Sequence, residues 1–201
     1  MKSSKQQASK ETHNKLLEWF NNKQKVKKIR VVNVVKTIDV DVDFNGIIIF
    51  DYPGILSLFD GKINDGENIL QQFTTTDKGD FVLDKGIALP IMGIDDGGYT
   101  VRLFLNEIPS NDNRNVVFSD KYFFLNVTGS LYIADMAVFW EWEEYTGWHN
   151  SNIPKGIYRV CLEGVHLKQN DEIFYCYDLI LEKVDKLGKR DIEPRSYSRL
   201  Y

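Results

Sequence analysis

Residues 38–50 have the sequence Ile-Asp-Val-Asp-Val-Asp-Phe-Asn-Gly-Ile-Ile-Ile-Phe, the clearest structural signal in the chain. Apolar and acidic residues alternate strictly up to Phe44, which is the period of a strand with one face in a core and the other in water. Asn45-Gly46 then separates this strand from an all-apolar run. That dipeptide is typical of a two-residue hairpin because both of its residues tolerate positive φ. The stretch predicts two antiparallel strands joined by a tight turn.

Residues 41–46 also match the first half of a calcium-binding loop, with the pattern Asp-x-Asp-x-Asn-Gly. The twelfth position of such a loop supplies a bidentate glutamate, and here that position is Tyr52. The three histidines of the chain are not spaced as metal ligands either. We therefore expect neither a metal ion nor a cofactor.

Further strand patterns follow along the chain, separated by turns rich in Gly, Pro and Asp. They are Ile55 to Phe59, Ile69 to Thr75, Phe81 to Leu83, Gly98 to Leu105, Lys121 to Val127, Ser130 to Trp142, Gly156 to Leu167 and Glu172 to Lys183. Many short strands with no helical pattern between them are typical of a β-sandwich. The predicted fold is mainly β, an antiparallel β-sandwich.

One amphipathic helix is predicted before the sandwich, from Ser9 to about Lys23, with Leu16, Leu17 and Phe20 on its apolar side. The charge distribution divides the chain into three parts. Residues 1–36, the helix and its lead-in, carry ten basic and two acidic residues; residues 37–182, the sandwich, carry nine and twenty-four; residues 183–201, a tail, carry six and three. The predicted organisation is an acidic domain between two basic ends.

The net negative charge of residues 37–182 affects which partners the protein can bind. Proteins that bind nucleic acid or anionic lipid need clustered Lys and Arg, so neither is expected to bind the body. A basic partner protein would be attracted to it, although such charge can also serve solubility alone. No signal peptide or membrane span is apparent, and Cys161 and Cys176 lie in apolar strand patterns where they are expected to stay reduced. The prediction is a cytoplasmic protein.

Motifs of catalysis are missing from the sequence. It has no Gly-x-Ser-x-Gly elbow, no phosphate-binding loop and no zinc-binding histidine pair. Glu141 and Glu143 beside Trp140 and Trp142 suggest the paired carboxylates of a glycoside hydrolase. On a strand, however, these tryptophans would share the core face and the glutamates would face water. We do not expect an enzyme.

The segment from Phe139 to Trp148 contains the candidate binding site. If the strand ends near Glu143, the next residues form a loop at one end of the sandwich. Aromatic anchors inside an acidic rim are typical of a binding site for a basic protein. The candidate partner-binding residues are Glu143, Glu144, Tyr145 and Trp148, together with Asp95 and Asp96 in the glycine-rich turn before Gly97. The alternative is that the tryptophans belong to the core and the acids to an ordinary loop.

Strand and turn residues over about 47–182 resemble those of a known family. They are Gly97-Gly98-Tyr99-x-Val101-Arg102, a loop at Pro109, Leu125-x-Val-x-Gly-x-Leu-Tyr132, and Ile153-Pro154-x-Gly156-x-Tyr158-x-Val160. This order resembles bacterial β-sandwich inhibitors related to competence protein J, and also immunity-type proteins encoded beside toxins. The resemblance implies a small cytoplasmic protein that neutralises a nuclease or another toxin. The matched positions are structural, so it assigns no inhibitory residue.

The sequence thus predicts a protein-binding module, an immunity or inhibitor protein for a basic partner such as a nuclease toxin. One alternative is a carbohydrate-binding or carbohydrate-active sandwich that uses the tryptophans. Another is an assembly component whose basic helix docks on a second subunit.

Overall fold

The computed structural model describes residues 36–190 and 193–200. The predicted helix from Ser9 to Lys23 lies outside these residues. The described strands are β1 Lys36–Val42, β2 Gly46–Asp51, β3 Ala88–Met92, β4 Gly97–Leu105, β5 Arg114–Val127, β6 Leu131–Asp135, β7 His149–Asn150, β8 Gly156–Gln169 and β9 Glu172–Val184. The described helices are α1 Tyr52–Ser57, α2 Ile69–Thr75, α3 Lys78–Asp84 and α4 Ala137–Trp140.

The strands form two sheets, so the mainly β class is confirmed. The larger sheet has the order β1-β4-β9-β8-β5 and the smaller one β3-β2-β6-β7. All pairs in the smaller sheet are antiparallel, but β4 and β9 run parallel in the larger one. The expectation of a purely antiparallel sandwich is therefore wrong at this pair.

The predicted hairpin at Asn45-Gly46 is also wrong, because the two strands that it joins belong to different sheets. β1 pairs with β4, whereas β2 lies between β3 and β6. All four apolar residues from Ile47 to Phe50 are buried, so β2 needs cover on both faces, while β1 exposes its aspartates on one. Asn45 has a φ of 54°, and a Cβ on Gly46 would lie 2.6 Å from the carbonyl oxygen of Ile91. The dipeptide makes a corner between two layers.

Three of the predicted strands are helices. Ile55 to Phe59 falls largely in α1, Ile69 to Thr75 is α2, and Phe81 to Leu83 lies inside α3. The strand predicted from Ser130 to Trp142 ends at Asp135 and is followed by α4, and β3 was not predicted. The long strands β4, β8 and β9 lie close to their predicted bounds.

Two cores hold the layers together. Between the sheets, Val40, Ile49, Leu125 and Leu179 belong to one large apolar cluster. On the opposite face of the smaller sheet, Ile48 and Phe50 pack against the helices in a second cluster. The described residues therefore form three layers, with the smaller sheet in the middle.

The outer face of the larger sheet carries a buried ion-pair network. Arg102 binds both carboxylate oxygens of Asp178 at 2.6 and 2.7 Å, and Arg114 bridges Asp178 and Glu163. Burial alone lowers the pKa of Arg114, but the two carboxylates outweigh burial and hold that pKa above its usual value. The network joins β4, β9, β8 and β5, so it ties four strands in one register.

Cys161 and Cys176 are both free and buried. Their strands are paired, but Cys161 lies opposite Ile180 and Cys176 opposite Val165. Register therefore keeps the two thiols apart.

The tail contacts the body at several points. Arg195 forms a bidentate ion pair with Asp120, and Leu200 is part of the core between the sheets. The hydroxyl of Tyr177 donates to the carbonyl of Ser198 at 2.9 Å. Residues 193–200 are thus an integral part of the fold.

Asp51 connects three segments at the end of β2. Its fully buried carboxylate accepts hydrogen bonds from the amides of Gly54, Thr128 and Gly129 at 3.0, 3.0 and 3.1 Å, and from the Thr128 hydroxyl at 2.5 Å. These bonds cap α1 and fix the turn between β5 and β6. Every acceptor position of the carboxylate has a donor, which compensates for burying its charge.

Replacing Asp51 by Asn is expected to lower the free energy of unfolding by about 3 kcal/mol. The new amide group would face backbone donors and leave buried groups unpaired. Urea denaturation measures the loss. As a control, Asp39→Asn changes an exposed carboxylate that accepts one bond from Thr100 at 2.8 Å, and it should cost under about 0.5 kcal/mol. Equal losses in the two variants would contradict the role assigned to Asp51.

Candidate functional site

An aromatic cluster covers the outer face of the smaller sheet, and Trp148 lies at its centre. The ring of Trp148 is 4.9 Å from Trp142, 5.0 Å from Phe50 and 5.3 Å from both Tyr132 and Tyr145, between centroids. Phe50 and Tyr132 come from the neighbouring strands β2 and β6, whose register places them side by side. The sheet thus provides a fixed platform for the loop that follows α4.

The loop at Gly66 and Glu67 is bound to Trp142 through main-chain hydrogen bonds. The amide of Gly66 donates to the carbonyl of Trp142 at 2.8 Å, and the amide of Trp142 donates to the carbonyl of Glu67 at 3.1 Å. The side chain of Trp142 is fully buried, whereas Glu141 and Glu143 on either side of it are exposed. This pairing brings exposed Asp65 beside the glutamates.

We call this region the acidic aromatic surface; it consists of Asp65, Glu67, Glu141, Glu143, Glu144, Tyr145 and Trp148. Tyr145 is its most prominent ring, with 57% of the residue exposed. None of the ion pairs among the described residues involves Asp65, Glu141 or Glu143. The surface therefore presents carboxylates that have no basic neighbour bound within the described chain.

Glu144 has an aromatic neighbour that the other glutamates lack. Tyr52, the first residue of α1, lies close to both Glu144 and Tyr145. Burial first, and then these two neighbours, raise the pKa of Tyr52 well above its usual value. The phenol therefore stays protonated at neutral pH beside the Glu144 carboxylate.

The floor of the surface contains two indole N–H groups without a partner. Trp142 Nε1 and Trp148 Nε1 are both buried, and neither makes a hydrogen bond within the part of the chain that the structure describes. Buried donors of this kind are costly to leave unpaired. The cluster therefore combines close ring packing with polar groups that remain to be satisfied.

Asp95 and Asp96 lie elsewhere. They belong to the turn between β3 and β4, where the Asp95 carboxylate pairs with Arg199 at 2.8 Å. This turn follows the pairing of Met92 with Gly46, at the opposite end of β2 from Phe50. Gly46 and Phe50 are four residue steps apart along the strand, about 13 Å. The structure does not bring these aspartates together with the aromatic loop, and as binding residues they stay a prediction.

The tryptophans divide between core and surface. Trp142 is in the core as expected, but 54% of Trp140 is exposed, and its ring lies 5.4 Å from Phe44. The expected common face is wrong because residues 137–140 form a helix, in which alternate residues do not share a side. Asp65, Glu67 and Tyr52 were missed because no local pattern marks them. They reach the surface through main-chain pairing and the start of α1.

Across 36–190 and 193–200, no three His, Cys, Asp or Glu side chains are grouped so that they could hold a metal ion. Within the same residues no helix has both the length and the apolar character that crossing a membrane requires.

Comparison with known proteins gave one structural similarity. No family model matches the chain, and no curated protein matches it. The structure is similar to the crystal structure of ComJ from Bacillus subtilis, an inhibitor of the DNA degrading activity of NucA. The TM-score is 0.47 and the identity 12%, over 77% of this chain and 100% of ComJ.

The position of Trp148 predicts that it stabilises the site more than it contacts a partner. Trp148→Ala should lower the free energy of unfolding by about 3 kcal/mol, because it removes a ring packed against five others. Tyr145→Ala removes an exposed ring and should cost less than about 1 kcal/mol. Urea denaturation followed by circular dichroism measures both. A Trp148 variant as stable as the Tyr145 variant would show that the cluster contributes little to the fold.

Proposed function

We propose that this protein binds a basic partner protein through the acidic aromatic surface and acts as an inhibitor or immunity protein. The observation that carries the proposal is the cluster of exposed carboxylates around Tyr145, where Asp65, Glu141 and Glu143 have no ion-pair partner among the described residues. The proposal rests on the chemistry of this surface.

The two kinds of residue have different roles in such an interface. Unpaired carboxylates accelerate encounter with a basic protein and select against acidic ones. Exposed tyrosine is among the residues that contribute most to affinity once water is excluded around it. An acidic rim around an aromatic centre therefore provides both fast association and affinity.

The surface is also ordered before a partner arrives. Trp148 is packed between Phe50 and Trp142, and the ring of Tyr145 contacts both Tyr52 and Tyr132. Side chains that are already immobilised lose little entropy on binding, so more of the interaction energy is available as affinity.

A nuclease is a suitable class of partner on chemical grounds. Proteins that bind nucleic acid present clustered Lys and Arg to phosphate groups. Carboxylates that occupy such a cluster would exclude the nucleic acid and so inhibit its degradation.

Charge reversal at the rim tests the proposal. The partner is isolated by affinity capture on the immobilised full chain, identified by mass spectrometry and purified for calorimetry. Glu141→Lys with Glu143→Lys should weaken its binding at least about tenfold, equivalent to about 1.4 kcal/mol, and reduce the salt dependence of binding. Glu144 is left unchanged because it is only half-exposed and lies beside Tyr52.

The matched control is Asp41→Lys with Glu172→Lys, which makes the same change in net charge. Asp41 is exposed on β1 in the larger sheet and Glu172 at the start of β9, both outside the acidic aromatic surface. This variant should keep the affinity within about threefold and the same melting temperature. Equal weakening in both variants would mean that overall charge, and not this surface, attracts the partner. Undiminished binding in the Glu141 and Glu143 variant would reject the surface.

A further inference from the structure

A cavity of about 380 Å³ lies between the smaller sheet and the helices that cover it. Its walls are apolar side chains from β2, β3, α2, α3 and the start of α4, among them Ile48, Met92, Phe73, Val82, Met136 and Phe139. None of the described residues that line it belongs to the acidic aromatic surface. The cavity is therefore a second candidate site, separate from the proposed interface.

Small residues on the sheet leave this space open. The outer face of β3 carries Ala88 and Pro90, which pair with the larger Phe50 and Ile48 of β2. Above them, α2 and α3 are in close contact, since a Cβ on Gly79 would lie 2.1 Å from the main-chain oxygen of Phe73. The two helices thus form a roof that the short side chains of β3 do not reach.

The size and lining of the cavity match those of sites for small molecules. Such sites have volumes of about 300–1,000 Å³ and mainly apolar walls with a few polar groups. The hydroxyls of Thr74 and Thr76 donate to the main-chain carbonyls of Leu70 and Gln72 at 3.0 and 2.6 Å, so they offer no free donor to water in the cavity. A space with these walls favours an apolar occupant over water.

The mouth of the cavity is acidic. Asp80 of α3 and Glu193 of the tail line it, and both side chains are largely exposed. Arg190 binds one carboxylate oxygen of each, and one of Asp84, at 3.3 Å for Asp80 and 3.0 Å for Asp84. A single guanidinium thus faces three carboxylates, and these four groups together have a net charge of −2.

We propose that the cavity binds a small amphiphilic amine, a molecule with an apolar body and one ammonium group. The body lies between Phe73, Val82 and Met136, and the ammonium group stays at the mouth beside Asp80 and Glu193. Burial of the body provides the affinity, while the carboxylates select a cation and repel an anion of the same shape. The site is independent of the proposed function because it uses none of the same residues.

Three probes of equal chain length isolate the contribution of the head group: octylamine, octanol and octanoate. Met92 and Met136 are two of the three methionines of the chain, and both line the cavity, so NMR of ¹³C-methyl methionine follows binding. Met92→Leu assigns the two signals. Octylamine should shift both signals to saturation and bind at least about tenfold more tightly than octanol. Octanoate should shift neither signal.

Variants that fill the cavity test whether the probe enters it. Ala88→Leu adds a larger side chain to the floor and should abolish octylamine binding, with a melting temperature that is unchanged or higher because the space is filled. Leu83→Phe fills the cavity from the side of α3 and serves the same purpose if the first variant does not fold. Octylamine that binds a folded filling variant with full affinity would overturn the inference.

Variants of the mouth test the selection of a cation. Asp80→Asn with Glu193→Gln should weaken octylamine binding about tenfold and leave octanol binding unchanged. Exposed ion pairs contribute little to stability, so the fold should be retained. The matched control, Asp41→Asn with Glu172→Gln, makes the same change in net charge outside the cavity and should leave both probes unaffected.

Two further outcomes would reject the proposed ligand class. One is equal affinity for octylamine and octanol, which would show that the carboxylates select nothing. The other is methionine signals that no probe shifts. Neither outcome bears on the basic partner protein, whose binding is measured with the variants of Glu141 and Glu143.

Discussion

The buried carboxylate of Asp51 fixes the corner on which the candidate site is built. It joins the end of β2, the start of α1 and the turn after β5 through four hydrogen bonds. A buried charge is stable only when its acceptor positions are filled, so these three segments have to assemble together. The next residue is Tyr52, which consequently enters the aromatic cluster, where its ring contacts Trp148 and Tyr145. One structural carboxylate thereby fixes where α1 meets the acidic aromatic surface.

The sequence was most informative where a local pattern had a single structural solution. The long strands β4, β8 and β9 were predicted because each is a largely apolar run bounded by turn residues, and each has a central stretch of consecutive buried residues. The helices were missed because each is seven residues or shorter, and end caps and packing, more than periodicity, determine them. Asn68 caps α2 by accepting a hydrogen bond from the amide of Gln71 at 2.8 Å. A prediction based on strand patterns takes no account of such a cap. The Asn45-Gly46 corner was mistaken for a hairpin because the dipeptide specifies a turn but not which sheet each strand joins.

The candidate site also divides into a part that local sequence marks and a part that depends on distant residues. Its centre, from Glu143 to Trp148, was predicted from the density of aromatic and acidic residues in one segment. Asp65 and Glu67 could not be predicted because main-chain bonds to Trp142, nearly eighty residues later, bring them to the surface. Asp95 illustrates the converse, since its local sequence suggested a free carboxylate while Arg199 of the tail binds it. The density of aromatic and acidic residues indicated where the surface lies, but which residues belong to it depends on contacts between distant segments.

The parallel pairing of β4 with β9 has a consequence for how the chain is made. Arg102 and Asp178 are 76 residues apart, and their strands sit at the centre of the larger sheet. During synthesis β1 and β4 are made before β9, so one edge of β4 has no strand neighbour until β9 has left the ribosome. Contacts this distant along the chain are typical of slow folding. An unpaired strand edge is a site where another chain can pair, so this interval is the stage of folding most exposed to aggregation.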